Sequence, residues 1–363
     1  MKRIVFIVIT LLATAPVARA FDFSKPTAAG QTLYYDITSA NGVTLVAPNG
    51  SNWNGYDTPA GLLTVPTTVE HNGTTYNVVA VANNAFRGCN QLTSIYMPGS
   101  VASIGYTAFF SCPALTSVRI AEGMQSIGRM AFANCPLLDT IELPTTLREI
   151  GVSAFNSTAF ITNTDNWRDS VLYIGPYVIE VSSLVTGPVV IEEGTIGLGS
   201  AAFNYCHNLR QVVLPSSLLF VGFLAFSDCA VLDTVRCLST VPPTLADDAF
   251  SNIPIPTVVV PCGSLNAYTA SPYWGQLNLV DDCGLSQSIA DATMEHPHVA
   301  TVADGIEVRG AEGRLLTVSD MSGRTVYSTH NAAATQRITL PTKGIYVVTI
   351  DGHQSYKVVS GVK

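Results

Sequence analysis

The sequence predicts a mainly β solenoid with short helices and turns, built of stacked 23-residue coils, opened by a β-rich cap and followed by a small β-sandwich. Three observations carry this reading. The dipeptide Ala-Phe recurs at 85–86, 108–109, 131–132, 154–155, 202–203, 225–226 and 249–250, so the positions of successive phenylalanines differ by 23, 23, 23, 48, 23 and 24. An L-x-x-L-x-L pattern follows in register, as in Leu92/Ile95/Met97, Leu115/Val118/Ile120 and Leu138/Ile141/Leu143. Beyond residue 300 the pattern changes to short alternating runs divided by turn residues.

The N-terminus is read first. Lys2 and Arg3, the apolar run Ile4 to Leu12 and the small-x-small site Ala18-Arg19-Ala20 mark residues 1–20 as a signal peptide, so the mature chain begins at Phe21. The apolar run is too short to span ~30 Å of hydrocarbon, and no other stretch crosses a bilayer. The first cysteine, Cys89, lies too far from the leader to carry a lipid. With 363 residues there is room for two or three domains. A composition of 47% hydrophobic and 12% charged residues excludes a disordered chain. A net charge of −8 without any Lys/Arg cluster excludes a nucleic-acid partner. Residues 21–75 lack the repeat. Their strand-like runs (Leu33–Ile37, Val43–Val46, Leu62–Val65, Thr75–Val79), with Asn-Gly turns at 41–42 and 72–73, suit a β-rich N-terminal cap.

Residues 76–283 form the solenoid. An aliphatic residue stands five positions before each Phe: Val81, Ile104, Ile127, Ile150, Leu198, Val221 and Leu245. One coil cannot bury such columns alone, but coils stacked at ~4.8 Å bury them continuously. Phe86, Phe109, Phe132, Phe155, Phe203, Phe226 and Phe250 then form a spine, each contributing ~1.5–3 kcal/mol when buried. The long interval between Phe155 and Phe203 holds an insertion, about 156–188, because Ile191-Glu192-Glu193-Gly194 matches Ile120-Ala121-Glu122-Gly123. Within it, the segment 171–179 reads as a β-hairpin with a Gly-Pro turn, standing out from the stack.

Leu-Thr-Ser-Ile/Val at 92–95 and 115–118, Pro98, Pro144 and Pro215, Ile-Gly at 104–105, 127–128 and 150–151, and Ala-Phe-x-x-Cys closely resemble the BspA-like leucine-rich repeats of bacterial surface proteins. The resemblance runs from roughly Tyr76 to Val280 and implies a leucine-rich-repeat solenoid with adhesion or host-interaction roles. Such repeats place Asn or Cys under the turn for packing. That makes Cys89, Cys112, Cys135, Cys206 and Cys229 a column of buried thiols.

At the far end Thr257–Val260 reads as the last strand, and Ser264 as the cap of a short helix carrying Leu265 and Tyr268. Trp274 is read as covering the final coil in preference to stacking on a sugar. Residues 284–300 read as a linker and 301–363 as an immunoglobulin-like β-sandwich of six or seven strands. Asp320-Met321-Ser322-Gly323-Arg324, the segment Leu340 to Val348 and Lys357-Val358-Val359 resemble a type IX secretion sorting domain; the trailing Ser360-Gly361-Val362-Lys363 departs from it. The resemblance implies cleavage near the linker and release, or attachment to surface glycolipid.

No catalytic constellation, metal site or cofactor motif emerges. Cys262 and Cys283 are the best disulfide candidate, with Cys237–Cys262 the competitor. Cys206-His207 is not a thiol-protease pair, because neighbouring side chains on an extended chain diverge. Glu295, His296 and His298 lack the further ligands zinc needs. Glu122 and Glu193 are repeat equivalents, not an acid–base pair, and Asp247-Asp248 and Asp281-Asp282 read as surface turns. The binding candidates are the residues flanking the middle apolar position of each strand. One column is Ser94, Ser117, Thr140, Gln211 and Thr234; the other is Tyr96, Arg119, Glu142, Val190, Val213 and Arg236. Together they make a sheet face of ~25–30 Å suited to proteins or glycans, host extracellular matrix among them. The expected function is an exported, non-enzymatic binding protein of the cell surface or exterior. The alternative is a structural or assembly component of the envelope.

Overall fold

The computed structural model describes residues 21–283 and 298–360, except 303–304, 310, 312, 321–322, 331, 334, 343 and 351–353. The signal segment 1–20 and the linker residues 284–297 lie outside the described residues. The chain forms two compact units that divide after Asp282.

In the first unit the frame positions of each strand turn inward. Leu92, Ile95 and Met97 are buried while Thr93 and Tyr96 are exposed. Gly61–Thr64, Leu92–Met97, Ser117–Ile120 and Thr140–Glu142 pair in parallel, one per coil. On the opposite side Ser103–Ile104, Ser126–Ile127 and Glu149–Ile150 stack in parallel on Thr74–Val81. The turn between the two sides carries Ala-Phe. Residues preceding the dipeptide take a left-handed backbone: Asn84, Thr107, Met130 and Ser153, with φ of 58°, 50°, 53° and 56°. This folds the turn tightly enough to aim each phenylalanine inward. Phe86, Phe109, Phe132 and Phe155 stack with centroids 5.0, 5.1 and 5.6 Å apart and rings within 3° of parallel. Thiols support the turn from below. Cys112 donates to the Phe86 carbonyl at 3.3 Å and Cys135 to that of Phe109 at 3.2 Å. Glycine follows isoleucine because the coils touch there: a Cβ on Gly128 would lie 2.6 Å from the Gly105 carbonyl carbon.

The insertion corrects one expectation. Val171–Ile174 and Tyr177–Val181 do form the hairpin, but it does not stand out. Its second strand pairs in parallel with Gly197–Leu198, and all four residues of its first strand are buried. With Val171, Leu172, Tyr173, Ile174, Tyr177 and Val178 apolar on both faces, the hairpin is driven into the wall of the stack. It also splits that stack. Val189–Val190, Gln211–Leu214, Thr234–Cys237 and Thr257–Val260 begin a separate parallel sheet that does not pair with Thr140–Glu142. The aromatic spine divides likewise. Phe203, Phe226 and Phe250 stack at 4.8 and 5.0 Å, and among the described residues no ring contact joins Phe155 to Phe203.

A tryptophan closes each end. Trp53 lies 5.9 Å from Phe86 and donates from Nε1 to the Ala85 carbonyl at 2.8 Å. Trp274, fully buried, meets Phe250 edge-on at 6.2 Å and donates to the Pro243 carbonyl at 2.7 Å. At the N-terminus Phe23–Pro26, Thr32–Ser39 and Gly42–Val46 form an antiparallel meander that joins the stack through Thr74–Val81. Thr257–Val260 is not the last strand of the stack: Asn278–Asp281 pairs beside it in parallel. The helix Leu265–Ala270 is present, although the Ser264 side chain makes no cap bond.

Among the described residues the second unit has seven strands in two antiparallel sheets. His298–Val302, Gly305–Arg309 and Thr335–Thr339 form one; Thr325–Thr329, Leu316–Asp320, Gly344–Ile350 and Gln354–Ser360 form the other. Ile306, Val308 and Ile338 from the first share one apolar cluster with Leu316, Val318, Tyr346, Val348 and Ile350 from the second. The first strand begins at His298, so the final residues of the expected linker 284–300 are strand.

Candidate functional site

The sheet face is built by register. Ser94 lies beside Ser117 and Ser117 beside Thr140; Tyr96 lies beside Arg119 and Arg119 beside Glu142. The inward columns fix these strands, so the outward residues are held at strand spacing on a rigid base. Tyr96 is 37% exposed, and Arg119 and Glu142 are exposed and joined by a 3.0 Å ion pair. That pair contributes little to stability in water, which leaves both charges available to a partner. The face begins one strand earlier than the repeat frame indicates. Leu62, 54% exposed, aligns with Ser94, and Thr64 aligns with Tyr96. Their strand lies in the cap, where no recurring frame marks it.

The second half of the array departs from expectation. Gln211 and Thr234 are aligned and half-buried, and Thr257 and Asn278 continue their column. In the other column Val190, Val213, Arg236 and Val259 align, but Val213 is 2% exposed and Val259 5%. The Arg236 side chain is only 14% exposed and pairs with Asp282 at 3.1 Å. Asp282 also accepts from the Cys262 backbone N–H at 2.6 Å. Arg236 therefore fastens the C-terminal cap and is withdrawn from the outer surface, and Val213 is not a surface residue. The single long face expected from the repeat frame is corrected to two shorter ones separated at the insertion.

The remaining chemical candidates take structural positions. Cys262 and Cys283 are disulfide-bonded, whereas Cys89, Cys112, Cys135, Cys206, Cys229 and Cys237 are free and buried. A Cys237–Cys262 bridge is therefore not formed. Burial pushes the Cys89 and Cys237 thiols up to about 12, so both stay protonated at neutral pH. Cys206 is buried and its neighbour His207 exposed. Glu122 accepts from the Thr145 backbone N–H at 2.9 Å, and Glu193 accepts from that of Ser216 at 3.0 Å. Each glutamate ties its coil to the next. Among the described residues no three His, Cys, Asp or Glu side chains gather as a metal site, and no helix is long and apolar enough to cross a membrane.

Comparison with known proteins follows the same division. A family model described as BspA type Leucine rich repeat region matches in six copies over residues 71–186 and 196–271, more than half of the chain. A second, described as a domain of unknown function (DUF6383), matches residues 287–360. Among curated proteins nothing matches. Among solved structures the chain is similar to a leucine-rich repeat protein from Bacteroides ovatus, at 17% identity over 69% of this chain and 97% of that one, TM-score 0.31. It is similar to a leucine rich cell surface protein from Faecalibacterium prausnitzii, at 16% identity over 74% and 97%, TM-score 0.27. It is also similar to a leucine-rich repeat protein of T. pallidum, at 22% identity over 75% and 97%, TM-score 0.33.

Proposed function

We propose that this chain, which belongs to the BspA-type leucine-rich-repeat family, is an exported surface or secreted binding protein that engages proteins through the sheet face of its first four coils. The observation that carries this is the register of Tyr96, Arg119 and Glu142. An aromatic ring and an exposed ion pair sit side by side on paired parallel strands. Tyrosine and arginine are the residue types that most often dominate protein interfaces, because they combine large contact area with a polar end. Ser94, Ser117 and Thr140 beside them are short hydroxyl side chains that let a partner approach the sheet.

Export rests on the leader at residues 1–20. The C-terminal unit acts, on this reading, as a sorting domain that brings the solenoid to the cell surface, with host extracellular matrix among the targets. The test is binding of the chain from Phe21 onward to immobilised host matrix proteins, to envelope fractions and to a glycan array. Arg119→Glu replaces the ion pair with two neighbouring carboxylates, the new one and that of Glu142. It should weaken a protein ligand at least tenfold while leaving the melting curve within a degree or two. Full binding by that variant would move the interface off this face, and selective capture of envelope components would favour an assembly role.

A further inference from the structure

The place where the stack divides is itself shaped to hold a ligand. In a regular coil three backbone N–H groups at alternate positions of the Ala-Phe turn donate to carbonyls of the following coil. Met130 donates to Val152 at 3.0 Å, Phe132 to Ala154 at 2.8 Å and Asn134 to Asn156 at 2.8 Å. In the fourth coil the equivalent donors are Ser153, Phe155 and Ser157, and none of them has a protein acceptor among the described residues. The coil that follows stands off because the hairpin has entered. The carbonyl of Ala202, which would serve Phe155, instead accepts from Val181 at 2.7 Å.

A cavity of about 300 Å³ opens between these walls, at the lower end of the range for ligand sites. One wall presents two of these donors, Ser153 and Phe155; Ser157 is exposed and is not among the lining residues. The other presents the carbonyls of Ser200 and Asn204, which receive no backbone donor among the described residues, and the Asn204 Oδ1, buried and without a hydrogen-bond partner. Buried polar groups are rarely left unmatched, so the buried Asn204 Oδ1, set among unpaired backbone groups on two facing walls, marks a site with a preferred complement. Glu180 is the only charged residue lining the cavity, and its carboxylate has no ion pair or hydrogen bond among the described residues.

We propose that the cleft between the fourth and fifth coils is a peptide-binding slot, in which Ser153 and Phe155 donate to alternate carbonyls of a bound polypeptide segment and Glu180 receives a Lys or Arg side chain from it. The choice of a peptide over a sugar comes from the donors' spacing. Everywhere else in the first stack the same row meets main-chain carbonyls at alternate positions, so it is pre-set for that pattern, as an exposed sheet edge is for an added strand. Facing donor and acceptor walls satisfy both halves of a peptide unit. The slot is separate from the sheet face around Arg119, and either can fail without the other.

The experiment is hydrogen–deuterium exchange on the chain from Phe21 onward, with two pools of blocked heptapeptides of Ala, Val, Thr and Ser carrying Lys or Glu at the centre. The lysine pool should slow exchange at the amides of Ser153 and Phe155 at least tenfold, and the glutamate pool should not. Ser183→Trp, a substitution at an exposed lining position, should fill the slot and abolish the protection. Glu180→Lys should reverse the preference between pools, and it serves alone if the tryptophan variant does not fold. No protection by either pool, protection that persists in folded Ser183→Trp, or protection by an oligosaccharide panel but not by peptides would each overturn the proposal.

Discussion

The two halves of the solenoid share one repeat frame and use it differently. In the first four coils the rings stack within 3° of parallel, and the outward column is Tyr96, Arg119 and Glu142. In the last three the first ring pair is tilted by 28°, and the outward column is Val190, Val213, Arg236 and Val259, largely buried. The frame determines the backbone, since it is the frame that stacks. What the surface offers is decided by residues the frame leaves free, and in this outward column it is the first half that carries exposed aromatic and charged groups.

The sharpest way to break this comparison is to remove one ring from each half. Phe132 and Phe203 are both fully buried, so the loss of apolar contact is the same in kind. Phe132, however, is stacked on both sides, at 5.1 and 5.6 Å, and Phe203 on one side only. Truncating a buried phenylalanine costs about 3–5 kcal/mol, and each aromatic pair adds ~0.5–1.5 kcal/mol. Phe132→Ala should fall near the top of that range and Phe203→Ala about 1 kcal/mol lower, read from urea melts of the two variants. Equal losses would mean that ring stacking adds nothing beyond burial.

Much of the first stack is readable from sequence because stacking forces register. A column such as Val81, Ile104, Ile127 and Ile150 recurs once per coil only if each member meets the last, and in the structure all four are buried. Trp274 is readable on another ground, since an open end of such a stack needs apolar bulk to cover it, and it is buried there. Features that occur once are not readable this way. Asn278–Asp281 has no frame of its own and becomes a strand because Thr257–Val260 leaves an edge to pair. The hairpin at 171–179 declares its turn but not its destination, which depends on the coil at Gly197–Leu198, beyond the end of the insertion. Val213 looked outward by position, yet it is buried, a fact set by tertiary packing that a repeat alignment does not contain.

A smaller effect compares Glu122 with Glu193, one in each half, both bound to the turn of the next coil. Hydrogen bonds from Ser216 and Ser217 hold the Glu193 carboxyl below the usual carboxylate range. A depressed folded-state value stabilises the fold above the unfolded value, ~4.3, and the contribution is lost as pH falls through the lower folded one. Since the group is exposed, the gain is about 1 kcal/mol or less. Glu193→Gln should lower the melting temperature at pH 7 by a degree or two, and the gap to the parent should close as falling pH protonates the carboxylate. A gap independent of pH would show that the contact works through shape and not charge.

An effect of comparable size concerns backbone strain. Met130 in the first half and Leu224 in the second occupy the same turn position with φ of 53° and 54°, a left-handed conformation that neither side chain favours. Asn84 stands at the equivalent place in the first coil, at 58°, and asparagine tolerates that region through its local hydrogen bonding. Met130→Asn should therefore stabilise the chain by up to ~1 kcal/mol, seen as a rise of about 1–3 °C in melting temperature. Leu224→Asn should gain by the same mechanism. Because both residues are half-buried, each loses some apolar contact, and the sign of the change reports which term is larger. A rise at Met130 with a fall at Leu224 would locate the difference in side-chain packing, since φ at the two positions is the same to within a degree.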